Sequence, residues 1–200
     1  MTDSESLNRV RTEFETAFKS RGISYDEFIT KDLSLDFCSD LNYLSYVIQE
    51  ALRLSPVVPL SSPLYFEKDT KIGNIHVKAD TSMYINILGL HMNGKQWQRP
   101  DEFLPDRFDP SHPLSRTPSG EKRNTFSWLP FNGGKRICFG KTFAEFVIKI
   151  ILTMVTQRFD MKFVDSQKYH AKSLPVKHMG QTHIPELAVE VTRRASPHVE

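Results

Sequence analysis

The stretch Phe131-Asn-Gly-Gly-Lys-Arg-Ile-Cys-Phe-Gly140 holds most of the recognisable chemistry of this 200-residue chain. Two adjacent glycines, Gly133 and Gly134, can adopt positive φ angles and let the backbone approach a flat ligand without side-chain collision. Cys138 follows them, and a pattern of apolar residues that predicts a helix begins directly after Gly140. We therefore expect a tight loop that delivers one thiol to the start of a helix.

The surroundings of Cys138 suit a metal-bound thiolate. Unpaired N–H groups and the aligned dipole at a helix N-terminus favour an anion, and Lys135 and Arg136 add positive charge. Thiolates bind soft metal ions, while Arg136 can hold a carboxylate of the same ligand in a bidentate fork. Phe131 is expected to pack over the sulfur and exclude water. The alternative stays open here, because a lone cysteine is commonly an inert buried thiol.

The composition is that of a globular chain, with 39% hydrophobic and 25% charged residues. A net charge of +2 gives no indication of a nucleic-acid or anionic-membrane partner. The two cysteines form no disulfide framework, which predicts a reducing compartment and a buried thiol at Cys38. The first residues lack the blocks of a signal peptide, and the apolar runs are too short to span a bilayer. No membrane anchor is expected within this chain.

Apolar periodicity predicts a mainly helical α+β fold with three main helices, short hairpin strands and the cysteine loop. The expected helices run over Leu7–Ser20, from the capping residue Asp40 to Ser55-Pro56, and over about Lys141–Arg158. The expected strands are Tyr65–Lys68 and Ile75–Val77 around a turn at Gly73-Asn74, then Ser82–Leu88 and Leu187–Val191. The third helix is expected to bury Phe143, Phe146, Val147, Ile150, Ile151 and Met154.

One partial domain is expected over residues 1–200. The proline-rich segment from Asn93 to Pro130 is predicted to be packed rather than disordered, because it carries Trp97, Phe103, Phe108 and Trp128. The expected parts are a leading helix and connector over 1–37, a charged helix and small sheet over 38–92, an aromatic loop and cysteine loop over 93–140, and a helix and terminal strands over 141–200.

Two further motifs precede the cysteine loop. Glu50-Ala-Leu-Arg53 places opposite charges three residues apart, on one face of the second helix. Pro105-Asp-Arg107-Phe108 lies in the aromatic segment. A Glu-x-x-Arg pair alone is common and is usually solvated, but the three motifs in this order and at these intervals are not common.

With these motifs the chain resembles the C-terminal part of a cytochrome P450, a haem-thiolate monooxygenase. The signature Phe-x-x-Gly-x-Arg-x-Cys-x-Gly is complete, and Ala144 falls where the family has alanine. The resemblance implies that Cys138 is the axial ligand of the haem iron and that Arg136 contacts a haem propionate. The haem-binding residues it implies are Phe131, Gly134, Arg136, Cys138 and Gly140. It also implies a buried charged triad of Glu50, Arg53 and Arg107 that ties the second helix to the aromatic segment.

The chain departs from the family in places. The family's fold needs more than twice this length, and its distal helix, with an acid/alcohol pair that delivers protons to bound oxygen, would precede residue 7. We therefore expect the proximal half of a haem site here. Leu60 stands where many relatives have a basic residue that contacts a propionate. Lys78 and Asp80 stand where proline and glycine are frequent, a change that a surface turn tolerates.

The resemblance also implies partners. An acidic electron-donor reductase would dock on the proximal face, although the same residues also fit an ordinary solvated helix face: Lys135, Lys141, Lys149 and Arg158. Val57, Val58 and Gly180 would face an apolar small-molecule substrate, with core strand residues as the alternative for the two valines. Eukaryotic members are often found on the cytosolic face of the endoplasmic reticulum membrane. His91, His112 and His183 show no metal-ligand spacing and are predicted to be structural or exposed.

The family reaction inserts one oxygen atom into an apolar organic substrate with electrons from a reductase. For this chain we expect a truncated or partial copy of that enzyme. A catalytically inactive module that binds haem or the electron donor is the alternative. A gene-model fragment without an independent role is a further alternative, for which exposed apolar surface predicts aggregation.

Overall fold

A computed structural model describes residues 4–31, 34–164, 177–178, 182–183 and 188–194 of the chain. Helices dominate the described part, and the expectation of a mainly helical fold with a small β component is confirmed. The helices are α1 (Ser4–Arg21), α2 (Tyr25–Lys31), α3 (Leu35–Ser39), α4 (Asn42–Leu54), α5 (Ile87–His91) and α6 (Lys141–Arg158). Short 3-10 turns occupy Pro105–Phe108, Pro113–Ser115, Thr125–Ser127 and Gly134–Arg136. No helix of the described residues is long and apolar enough to cross a membrane.

The hydrophobic core lies between α1, the short helices α2 and α3, and α4. The apolar face predicted for α1 is buried at Val10, Phe14, Ala17 and Phe18. Phe18 stacks on Phe37 with ring centroids 5.2 Å apart, and Phe28 lies 4.5 Å from Phe37. Such ring pairs add to the free energy of burying the side chains themselves. From α4 and α6, Leu44, Ile48, Ile148 and Leu152 pack against this cluster.

The start of α4 differs from the prediction, because Asp40 does not cap it. Asp40 follows α3, and its carboxylate binds Arg21 at 2.6 Å. The residue before α4 is Leu41, which offers no side-chain cap. The backbone N–H groups of Tyr43 and Leu44, in the first turn of α4, instead donate to the two carboxylate oxygens of Glu13 in α1, at 2.6 and 2.9 Å. A carboxylate there satisfies open donors and faces the positive end of the helix dipole.

The hairpin at Gly73 has one strand as predicted, Ile75–Val77, but its partner lies at Thr70–Ile72. β1 (Thr70–Ile72) pairs antiparallel with β2 (Ile75–Val77) across the turn at Gly73, whose φ of +58° suits glycine. The strand predicted over Tyr65–Lys68 is wrong, because the two-residue turn pairs the residues directly beside it. The strand predicted over Ser82–Leu88 is also wrong. Only isolated bridges occur there, from Met83 to Leu64 and from Asn86 to Leu60, before α5 begins.

The aromatic segment is packed, as predicted. The ring of Trp97 is 1% exposed, and Phe108 lies between Trp97 and Trp128, with centroids 5.7 and 5.6 Å away. The indole N–H of Trp97 donates to the Leu90 carbonyl at 3.2 Å. The contacts explain how a segment with so little regular structure keeps one conformation.

Helix α6 has the predicted bounds but buries a different face. Phe143 is 72% exposed and Ile151 is 52% exposed, whereas Thr153, Thr156 and Gln157 are buried. The threonine hydroxyls donate to carbonyls one turn earlier, Lys149 and Leu152, at 2.8 and 2.6 Å. Burying them therefore leaves no unpaired hydroxyl. Because α6 is apolar over most of its circumference, periodicity alone does not select the face that meets the core.

Two antiparallel pairs follow α6. β3 (Phe159–Phe163) pairs with β6 (Val189–Arg193), and β4 (Lys177–His178) pairs with β5 (Thr182–His183). The predicted last strand, Leu187–Val191, overlaps β6, which extends further toward the C-terminus. Leu187 and Gly180 lie outside the described residues.

Candidate cysteine-ligand site

A charged cluster of Glu50, Arg53 and Arg107 lies beneath the aromatic segment, and all three side chains are fully buried. Glu50 Oε2 accepts from Arg53 Nε at 2.7 Å. Its Oε1 accepts from Arg53 Nη2 and Arg107 Nε, each at 2.9 Å, and from the backbone N–H of Leu104 at 2.8 Å. One carboxylate therefore joins α4, the 3-10 turn at Pro105–Phe108 and the residue just before that turn.

Arg53 uses its planar guanidinium to bind main chain as well as Glu50. Nη1 donates to the carbonyls of His91 and Pro100 at 3.0 and 2.6 Å, and Nη2 donates to the backbone carbonyl of Glu102 at 3.0 Å. Together with the two bonds to Glu50, these contacts use all five N–H groups of the arginine. A lysine has three donors on one point charge and cannot reproduce this set.

Arg107 completes the link between helix and loop. Its Nη1 donates to the backbone carbonyl of Gln98 at 2.7 Å, and its Nη2 donates to the backbone carbonyls of Arg99 and Glu102 at 3.1 and 3.2 Å. Burial lowers the pKa of Arg107, while the Glu50 carboxylate opposes that change. The guanidinium stays charged because even a lowered arginine pKa is far above neutral pH.

Arg123, which the sequence did not single out, adds a third guanidinium to this region. It lies 4.3 Å from the centroid of Trp97, whose ring also lies beside Arg53 and Arg107 at 5.3 and 5.9 Å. Nη1 donates to the Leu114 carbonyl at 3.0 Å, and Nη2 donates to the carbonyl of Arg107. Burial, with repulsion from Arg107, lowers the pKa of Arg123 to about 10. The ring face of Trp97 and the carbonyls offset the excess of positive charge.

His91, which the sequence predicts to be structural or exposed, is a buried structural residue whose two partners no sequence pattern identifies. It ends α5, is fully buried, and places Nδ1 3.2 Å from the Arg53 carbonyl. Its Nε2 accepts the backbone N–H of Leu129 at 2.8 Å, so it joins the charged cluster to the segment before the cysteine. Burial, with the nearby Arg53 charge, lowers the pKa of His91 to about 4. The signature residues carry no signal for it, because a single histidine has no spacing to recognise.

The cysteine loop, residues 131–140, is closed by its own backbone. The N–H of Cys138 donates to the Phe131 carbonyl at 2.8 Å. Gly134 has a φ of +65°, which favours glycine, and a Cβ at Gly133 would lie only 3.0 Å from Leu129 Cδ2. A Cβ at Gly140 would touch Cys138 Sγ at 4.0 Å, so glycine keeps that side of the sulfur clear.

The loop presents its side chains to the outside. Cys138 and Arg136 are exposed, and the apolar neighbours of the cysteine, Ile137 and Phe139, are 51% and 105% exposed. No cluster of three or more His, Cys, Asp or Glu side chains that could hold a metal was found among the described residues. A single accessible thiol between exposed apolar side chains, with a guanidinium nearby, fits a flat apolar group that brings its own metal and carboxylates. The predicted cover of Phe131 over the sulfur remains a prediction.

The basic residues predicted on the proximal face do not form one free surface. Lys135 is exposed, but the Lys149 ammonium donates to the Cys38 carbonyl at 2.7 Å and is half-buried. Lys141 lies 4.0 Å from Glu145, and Arg158 lies 3.7 Å from Asp26. Burial lowers the pKa of Lys149 and raises that of the Cys38 thiol. Cys38 is 3% exposed, as predicted for a buried thiol.

The two valines predicted near substrate lie outside the strands. Val57 is 55% exposed and Val58 is half-buried, so neither is a core strand residue. Leu60 is 49% exposed and forms an isolated β-bridge with Asn86. Because this residue is a leucine, it offers no cation to a propionate. His112 Nδ1 accepts the N–H of Leu114 at 3.2 Å, a local structural contact.

Comparison with known proteins gives a consistent result. The family model described as Cytochrome P450 matches residues 1–183. A steroid 17-alpha-hydroxylase/17,20 lyase of Cavia porcellus is 37% identical over 128 residues, 62% of this chain and 24% of that protein. Cytochrome P450 71B12 of Arabidopsis thaliana is 32% identical over 162 residues, 81% of this chain and 30% of that protein.

The fold agrees with these matches. The retinoic acid-bound cyanobacterial CYP120A1 superposes with a TM-score of 0.78 at 24% identity, covering 96% of this chain and 40% of that one. The chain spans about a quarter of the length of the curated steroid hydroxylases it matches. Because the family model covers more than half of the residues, the chain belongs to the cytochrome P450 family.

Proposed function

We propose that Cys138 is the axial thiolate ligand of the haem that the cytochrome P450 family binds. The observation that carries the proposal is the accessible Cys138 thiol on a loop closed by the hydrogen bond from Cys138 to Phe131. Exposed Ile137 and Phe139 on either side offer apolar contact to the face of a macrocycle. The exposed guanidinium of Arg136 offers two parallel hydrogen bonds to a haem propionate.

A haem held here by the Cys138 thiolate would supply oxygen activation, since electron density from a thiolate ligand favours O–O cleavage. The residues of this chain supply binding and orientation. Gly134 provides the positive φ that turns the loop, and Gly140 leaves the sulfur uncovered on one side. The charged cluster holds the aromatic segment in place above α4. We therefore assign Phe131, Gly134, Arg136, Cys138 and Gly140 to haem binding, and Glu50, Arg53 and Arg107 to positioning.

The reaction proposed for the protein to which this chain contributes is monooxygenation of an apolar organic substrate with electrons from a reductase. Exposed Val57 and partly exposed Val58 are proposed to face that substrate, together with Gly180 outside the described residues. Lys135 and Lys141 are the predicted proximal cations best placed to meet an acidic reductase. Lys149 is less suited, because its ammonium donates a hydrogen bond to the backbone carbonyl of Cys38.

The direct test is the carbon monoxide difference spectrum of the reduced protein reconstituted with haem. Wild type is expected to give the long-wavelength Soret band of a thiolate ligand, and Cys138→Ala is expected to lose it. Cys38→Ala is the matched control and should keep the band, because Cys38 is buried beside α6. Absence of any haem band in the wild type, or its persistence in Cys138→Ala, would contradict the proposal.

A second candidate is a module that binds haem or the electron donor without turnover. It is favoured by Phe139 and Phe143, which are 105% and 72% exposed and leave the cysteine-side surface uncovered by the described residues. This candidate predicts haem binding and reductase binding, each measurable by titration, with no oxygenated product from apolar substrates. Product formation by the chain alone would reject it in favour of the complete enzyme.

A further inference from the structure

We propose that His91 is a positioning residue for the cysteine loop, which it holds by accepting the backbone N–H of Leu129. The inference rests on the proposed function in one respect: the loop matters because Cys138 is assigned as the haem ligand. Its structural content, that one imidazole sets the position of the segment before the loop, is independent of haem.

The two contacts of His91 determine its tautomer. A backbone N–H can only donate, so Nε2, which lies 2.8 Å from Leu129 N, must be unprotonated. The ring proton is then on Nδ1, where it donates to the Arg53 carbonyl at 3.2 Å. With both nitrogens bonded to main chain, the imidazole is a fixed spacer between the end of α4 and residue 129.

Leu129 passes this constraint to the cysteine loop through two further contacts. Its carbonyl accepts the N–H of Asn132 at 3.1 Å, which forms the turn that enters the loop. Its side chain lies against the backbone of Gly133, where a Cβ would approach Leu129 Cδ2 to 3.0 Å. The loop then closes through the bond from Cys138 to Phe131. A shift of Leu129 would therefore move the segment that carries the thiol.

The charged cluster keeps the imidazole in place and neutral. The His91 carbonyl accepts from Arg53 Nη1 at 3.0 Å, so both the main chain and the ring of His91 contact the same arginine residue. A proton on Nε2 would add a cation beside the guanidinium and would turn the acceptor for Leu129 into a second donor. The neutral form that holds the loop is consequently the form that the surroundings favour.

Two substitutions separate the bonds of His91. His91→Gln places an amide oxygen at the reach of Nε2 and retains an acceptor for Leu129. His91→Asn reaches only as far as Nδ1, so it retains a donor for the Arg53 carbonyl and leaves the Leu129 N–H without a partner. Because both variants carry the same functional group and both lack the ring, a difference in exchange at the Leu129 N–H itself reports the bond to that group rather than loss of the ring.

The experiment is amide hydrogen exchange of the full chain without haem, followed by the reduced carbon monoxide spectrum with haem. In His91→Asn, exchange at Leu129 and across residues 131–138 should be about tenfold faster than in His91→Gln, since one hydrogen bond is lost. The proportion of bound haem that gives the thiolate band should be lower in His91→Asn than in His91→Gln. Phe28→Leu, in the aromatic core of α1–α3, is the control: it should lower stability without changing the exchange at Leu129 relative to the core.

Equal exchange at Leu129 in His91→Asn and His91→Gln would overturn the inference. An equally large increase at Leu129 relative to the core in Phe28→Leu would also overturn it. The two proposals fail separately. If wild type shows no thiolate band while the exchange difference persists, the haem assignment fails and the positioning role of His91 stands.

Discussion

The charged cluster and the cysteine loop are opposite in their physical character, although His91 connects them. The cluster is fully buried, and the described polar atoms of Glu50 and Arg53 are paired. The loop exposes its thiol, its guanidinium and its flanking apolar side chains. The fold therefore depends on complete pairing of the buried charges in the cluster, whereas the ligand chemistry lies in the loop. Substitutions in the cluster should change unfolding, whereas substitutions in the loop should change haem spectra.

The largest expected effect is that of Glu50→Gln. The change is nearly isosteric but leaves two buried guanidiniums without their countercharge, so we expect a loss of about 3–5 kcal/mol in the free energy of unfolding. Urea unfolding followed by circular dichroism measures it. Glu67→Gln, an exposed site, is the matched control and should stay within about 0.5 kcal/mol of wild type. A loss in Glu50→Gln no larger than this control would contradict the assignment of stability to the cluster.

A pH titration should reveal the link between the two regions. The pKa of His91 falls from 6.5 to about 4 in the folded chain. Below pH 6.5 the unfolded chain takes up a proton that the folded chain does not, so stability falls as the pH drops toward 4. The contribution is fully present above pH 6.5 and amounts to about 3 kcal/mol. Urea unfolding at pH 7, 5.5 and 4.5 measures it.

His91→Gln is the control for that titration, because glutamine does not titrate. Carboxylates with lowered pKa values, such as Asp106 and Asp160, lose their contribution below their ordinary value of 3.8 and so outside this window. Equal pH slopes in wild type and His91→Gln between pH 4.5 and 6.5 would show that His91 is protonated in the fold.

A smaller effect is expected at the start of α4. Glu13→Ala removes the carboxylate that accepts from Tyr43 and Leu44, and should cost about 1–2 kcal/mol, as for the loss of a helix cap. Thermal unfolding measures the change. Glu15→Ala, on the exposed side of the same helix, supplies the comparison, and a similar result for both variants would reject the capping role.

The smallest stability effect should come from Cys138→Ala. The thiol is exposed, so the free energy of unfolding without haem should change by less than about 0.5 kcal/mol. The same variant is expected to lose the thiolate band entirely. A loss of stability near that of Glu50→Gln would mean that the cysteine loop also stabilises the fold. The proposed contrast between the charged cluster and the loop would then be wrong.

Local patterns were sufficient wherever the deciding contacts are close in the chain. The bounds of α6 and the end of α4 before Pro56 follow from apolar periodicity and proline geometry. The pairing of Glu50 with Arg53 follows from their spacing on one helix face. Arg107 was reached only through the resemblance, since no local rule links it to a residue 57 positions away.

Contacts between distant residues were not accessible in this way. The sequence predicts Lys149 on a face that docks an electron donor or on an ordinary solvated helix face. The Cys38 carbonyl that it binds instead is 111 residues away in sequence. The cap of α4 comes from Glu13 in another helix, and the partner of His91 is a backbone N–H in an irregular segment. Such partners cannot be predicted from the type of a side chain, because every residue offers a main-chain group that could bind it.

The sequence by itself determined the three main helices, the position of the cysteine loop and, through three spaced motifs, the family. It did so because periodicity, turn residues and ligand spacing are local properties of the chain. Only the tertiary structure decided which face of α6 is buried, which carboxylate caps α4 and what holds the segment before Cys138. Those choices depend on which surfaces meet, since packing rather than local propensity supplies most of the stability of a helix in a protein.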